Sequence, residues 1–256
     1  NIRKKLAAEN KAASYLRYAI GEIVLVVIGI LIALQINNWN EARKERNIEI
    51  KYLKNLKLDL ITDLVNLDSM IVDRRSKMVS ANTLLELKPP TTIEELTVFH
   101  SLVGNVYGWT SFTPRTITIN ELISSGNFNI IKNDSIKSYL MSIKEINEVI
   151  VIRREHMRRE YDNYLYDRSW SMIEILPFTD INESIKNGRR INLKISNSKQ
   201  LQIASQAAVY LNDIVIRNGL KLALVNNRGI LMIYESLYAE IEKLIKFIDE
   251  DIDGVS

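Results

Sequence analysis

Residues 18–36, Tyr-Ala-Ile-Gly-Glu-Ile-Val-Leu-Val-Val-Ile-Gly-Ile-Leu-Ile-Ala-Leu-Gln-Ile, constrain this chain more than any other stretch. Wound as a helix, they reach roughly 28 Å, close to the hydrocarbon thickness of a bilayer. Isoleucine and valine on all sides leave no face for water. Tyr15 and Tyr18 precede the run and Trp39 follows it, the placing of aromatic residues that anchor a helix at the two membrane surfaces. The pattern predicts a transmembrane helix with the lipid bilayer as its partner. A cleaved signal peptide is the competing reading, but nothing like Ala-x-Ala follows the apolar core, so the segment reads as an uncleaved signal anchor. Asn1 is not a methionine, which points to residues upstream.

Charge bears on the orientation. Residues 1–17 carry Arg3, Lys4, Lys5, Lys11 and Arg17 against Glu9. Residues 37–54 also hold five cations, Arg43, Lys44, Arg46, Lys51 and Lys54, so the positive-inside rule is nearly tied. The short, almost acid-free tail favours a cytoplasmic amino end and an inner-membrane span, with the remainder outside. Removing the tail and Glu22 from the formal charge of +3 leaves residues 37–256 neutral. Nothing in that balance calls for nucleic acid.

YAIGEIVLVVIGILIALQINNWNE, residues 18–41, resembles the signature of an uncharacterised family of single-span membrane proteins of Bacteroidota. Asn120-Glu-Leu-Ile-Ser-Ser-Gly-Asn-Phe-Asn-Ile-Ile-Lys-Asn133 is similar to that family's second recurring motif. The resemblance implies one span and a periplasmic body, but no activity.

Few breakers interrupt the rest. No glycine or proline occurs between Gly29 and Pro89, so the span is predicted to run on as a helix to about Leu87, where Pro89-Pro90 stops it. Leu53, Leu56, Leu60, Leu64, Leu67 and Ile71 mark its apolar stripe. Thr92-Ile-Glu-Glu95 fits a capping box opening a short helix to about Val103, with loop from Gly104 to Pro114. Ile119–Ser125 reads as one or two helical turns closed by Gly126 in a left-handed cap. Asn133 or Asp134 then starts a second long helix with the stripe Ile136, Leu140, Ile143, Ile146, Ile150, Met157, Tyr161, Tyr164. Residues 177–197 are mixed, with a short strand expected at Ile191–Ile195. A last helix begins near Asn197. One heptad frame holds Leu201, Ala204, Ala208, Leu211 and Val215; another holds Leu237, Ile241, Leu244 and Ile248. The frames differ by one residue, which predicts a kink, skip or break around Asn226-Asn227-Arg228-Gly229. The expected fold is all-α. A basic tail (1–17) leads into the transmembrane helix (18–36), which continues as a long juxtamembrane helix (37–88) into a helical periplasmic domain (89–256).

Within the span, Glu22, Val26, Gly29, Ala33 and Ile36 share one helical face. Gly29-x-x-x-Ala33 is a small-x-x-x-small seam that lets two helices approach closely. Glu22 either snorkels to the surface beside Arg17 or Lys11, lies in a self-association seam, or lines an ion path. Gln35 lies nearer the membrane edge, where snorkelling suffices. Asn37-Asn38-Trp39-Asn40 reads as a headgroup anchor rather than a pore mouth.

Arg153, Arg154, Arg158 and Arg159, with Tyr161, Tyr164, Tyr166 and Trp170 following, form the one basic–aromatic cluster. It reads first as a solvated helix face with a Glu155–Arg159 pair, and second as a partner contact. The chain has no cysteine and two histidines. His156 stands among arginines that repel cations, and His100 reads as a core-edge residue, so no metal site is expected. Ser124-Ser125-Gly126-Asn127 lacks the spacing of a phosphate loop. No catalytic residues and no cofactor are assigned. The sequence points to a non-catalytic membrane-anchored scaffold or accessory subunit, homo-oligomeric and holding another envelope protein. The alternative is a small ion-conducting or proton-responsive homo-oligomer using Glu22.

Overall fold

A computed structural model describes residues 2–174 and 197–254, with side chains from Tyr15 onward. The expected all-α architecture is what it shows. Helix α1 runs without interruption over Ile2–Glu86, 85 residues and about 128 Å at the usual rise. It stops two residues short of Pro89-Pro90, because the residue before a proline is driven out of helical geometry.

Helix α2, Ile93–Tyr107, opens on the expected capping box: Glu95 N–H donates to Thr92 Oγ1, and the Glu95 carboxylate takes the Thr92 N–H. It runs through Gly104, beyond the Val103 end read from the sequence. Leu96, Phe99, Val103 and Val106 are one buried stripe, and burying Val106 outweighs the roughly 1 kcal/mol that glycine costs a helix interior.

Helix α3, Ile117–Ser124, closes at Gly126 with φ +73°, the left-handed turn expected there. A 3₁₀ turn, Asn127–Ile130, follows. Asn133 Oδ1 then caps α4, Asp134–Tyr161, by accepting from Ser135 and Ile136 N–H. The last turns of α4 widen into a π-helical segment, Asp162–Tyr166, and tighten again at Asp167–Ser169. Tyr164, placed in the apolar stripe by its spacing, is 40% exposed. The widened turn shifts the phase, so Leu165 is buried in its stead.

Helices α5, Asn197–Asn212, and α6, Ile214–Asp253, complete the described residues. The expected mixed segment and the strand at 191–195 lie outside them.

The break in the last helix is not at 226–229. It falls at Asp213, whose carboxylate caps α6 by accepting from Val215 and Ile216 N–H. From there one heptad runs without a slip: Ile216, Leu220, Ala223, Asn227, Ile230, Tyr234, Leu237, Ile241, Leu244 and Ile248 are all buried. The frame built on Leu201 was the wrong one, since Leu201 is 72% exposed while Ile203, Ala207 and Tyr210 are buried. Helix α6 lies between α1 and α4, packed along both. It is antiparallel to each: Arg46 meets Asp251, Arg75 meets Glu235, and on the other side Tyr139 meets Phe247 and Tyr161 meets Asn227.

Candidate functional site

Two regions of α1 stand out, a bare rod and the polar groups that fix it to the bundle. Every residue from Tyr15 to Glu45 is exposed on all sides. These include Tyr18, Glu22, Gly29, Ala33, Gln35 and Trp39. The segment is long and apolar enough to cross a membrane. Nothing lies within 4 Å of a Cβ built on Gly29, so the Gly29/Ala33 seam is open. Beyond the apolar run, the Arg43 guanidinium sits 5.8 Å from the Trp39 ring centroid.

Where the rod joins the bundle, a collar of charges closes around α1. Glu49 is 1% exposed. Its carboxylate accepts the Lys132 backbone N–H at 2.6 Å and the Arg46 guanidinium at 2.7 Å. Arg46 also donates to the Asp251 carboxylate at 2.7 Å and the Asp251 carbonyl at 2.6 Å, and Asn133 donates to the same carboxylate. Lys132 reaches Glu45 at 3.1 Å. The start of α4 and the end of α6 are thereby tied to one turn of α1. Buried charges are tolerable only when paired and hydrogen-bonded in this way.

Higher up, the inner heptad of α1 carries Asp63, Arg74 and Lys77, all buried. Each serves the connection between α2 and α3. Asp63 accepts the Arg115 N–H at 3.0 Å, and burial pushes its carboxyl up to about 6. Lys77 donates to the carbonyls of Asn105 and Gly108, and burial draws its ammonium down. Arg74 donates to the Thr110 carbonyl and, at 3.0 Å, to Asn227 Oδ1. Asn227 in turn donates to Tyr161 Oη and Ala223 O. These hydrogen bonds link α1, α6 and α4. The apolar stripe read from sequence skips these positions because they are charged. A heptad drawn through Glu49, Leu53, Leu56, Leu60, Asp63, Leu67, Arg74 and Lys77 finds them.

The arginine cluster of α4 is divided. Arg158 pairs with Asp162 at 3.1 Å and lies over the Trp109 and Tyr166 rings at 5.1 and 5.6 Å, so it packs against the α2–α3 connection. Glu155 pairs with its neighbour Arg154 and not, as its spacing suggests, with Arg159; His156 pairs with Glu160. Arg153 and Arg159 lie on the exposed face. His100 is half-buried beside the Phe99 ring, and desolvation holds its imidazole below the usual value. Among the described residues no group of three or more acidic or histidine side chains could hold a metal ion.

Bundle, rod and collar together define an all-helical protein with one exposed apolar helix continuous with its body. Residues 22–176 match a family of unknown function, DUF6090, and the chain belongs to it. No curated protein and no solved structure matches.

Proposed function

We propose that the chain is a non-catalytic, membrane-anchored helical scaffold or accessory subunit of the bacterial envelope. It stands in the inner membrane with its amino end cytoplasmic and its bundle periplasmic, associates with itself, and holds a partner protein. The observation that carries this reading is the continuity of α1: one unbroken helix is first the apolar rod and then a wall of the bundle. Such a helix transmits position, and residues 46–86, along which the bundle packs, carry it about 60 Å beyond the rod. The signature at 18–41 supports placement among envelope proteins of Bacteroidota, and the almost acid-free tail supports the orientation.

The test is the mass of the full chain in nanodiscs together with the proteins that co-purify after gentle extraction. The expected result is an oligomer, dispersed to monomer by Gly29→Leu, which blocks close helix approach. A monomer that purifies alone, or a chain that stays dispersed in buffer without detergent, overturns the reading. Glu22 favours a second reading, an ion-conducting oligomer. Under it, Glu22→Gln abolishes conductance in planar bilayers and leaves the mass unchanged.

A further inference from the structure

Helix α1 has a second repeat, on the side away from the bundle. Leu58, Val65, Val72 and Val79 recur every seven residues, with relative exposures of 64%, 65%, 65% and 66%. Between them the same strip holds only hydroxyl residues, from Thr62 to Thr83. One border is α2, where Asn105 donates to Ser76; the other is α6, where Glu235 pairs with Arg75. From Leu58 to Thr83 the strip carries no charge, in a chain in which 25% of residues are charged.

We propose that this strip is the contact surface for a second copy of the same chain, lying parallel and in register. Two observations select that occupant. In an in-register pair each residue faces its own twin, so any charge on the strip would meet a like charge. A strip free of charge, flanked by residues of both signs, is the composition such a pairing needs. The second is phase. Glu22, Gly29 and Ile36 precede Leu58, Val65 and Val72 by 36 residues each, about ten turns of a helix with 3.6 residues per turn. Because α1 is unbroken, the Gly29 seam and the outward strip point the same way. Two copies held side by side in one membrane therefore meet along both. The inference rests on the membrane-anchor reading and adds the surface outside the lipid.

The chain has no cysteine, so single cysteines report contact directly. Val65→Cys, Val72→Cys and, on the exposed α4–α6 face, Met232→Cys are made in the full chain, placed in lipid vesicles at low density and treated with a mild oxidant. All three positions are exposed, so the substitutions leave the core intact. The expected result is conversion of most of the Val65→Cys and Val72→Cys chains to a species of twice the mass, with at least tenfold less from Met232→Cys. Equal yields at the three positions, or more from Met232→Cys, overturn the proposal. An oligomer by native mass that gives no product at 65 or 72 overturns the strip alone. A strict monomer overturns the strip and self-association together.

Discussion

Gly219 and Gly229 lie in the same helix and respond oppositely to the same substitution. A Cβ on Gly219 would stand 2.7 Å from Leu165 Cδ2, 2.9 Å from its Cγ and 3.0 Å from Tyr164 Cβ, whereas nothing lies within 4 Å at Gly229. Alanine gains about 1 kcal/mol of helix propensity at either site, but at Gly219 overpacking of about 1–3 kcal/mol opposes it. Gly229→Ala is expected to raise the denaturation midpoint and Gly219→Ala to lower it, as urea titrations will show. Asp63 gives a pH signature. Its carboxyl is raised from 3.8 to about 6, so between those values the folded chain holds a proton that the unfolded chain has released. The contribution to stability is complete below about pH 4 and fades as the pH rises to about 6. His100, whose imidazole desolvation holds below its ordinary value, acts in the opposite sense, losing stability as the pH falls below about 6.5. Asp63→Asn keeps an acceptor for the Arg115 N–H and removes only the first effect. The stability difference between wild type and variant is therefore expected to vary from pH 4 to 6 and to be flat above 7.

At the scale of elements, the sequence was most legible where breakers and caps speak for themselves. The Pro89-Pro90 stop, the Thr92 capping box, the Gly126 turn and the Asn133 cap all stand where their chemistry places them. The last helix is less legible, because a frame built on Leu201 rests on a leucine that faces water and puts the mismatch at Asn226–Gly229. Asp213 alone makes the break, by capping one helix as the previous one ends. Asn227, within the expected interruption, is 1% exposed and occupies a core heptad position. Polar residues at such positions fix register at some loss of stability. Asn227→Ala leaves the Arg74 guanidinium and the Tyr161 hydroxyl each short of a partner, an expected loss of about 2–4 kcal/mol read from the unfolding midpoint. The charged residues on the inner face of α1 were illegible for a related reason. Periodicity counts apolar residues, while Glu49, Asp63, Arg74 and Lys77 are buried by virtue of backbone groups that only the tertiary fold brings to them.

For the whole molecule, α1 belongs at once to the exposed rod and to the buried core, and that double membership underlies the proposed role. The legible part of the candidate site was the rod, because its apolar length needs no tertiary partner to be recognised. The collar was not, since Lys132 and Asp251 are far in the chain from Arg46 and Glu49 and meet them only when the start of α4 and the end of α6 come back to α1. Their meeting has a mechanical corollary. Tension applied along the rod enters α1 parallel to its interface with the antiparallel α6, so the heptad layers and the ionic collar bear load together, in shear, instead of opening one after another like a zip.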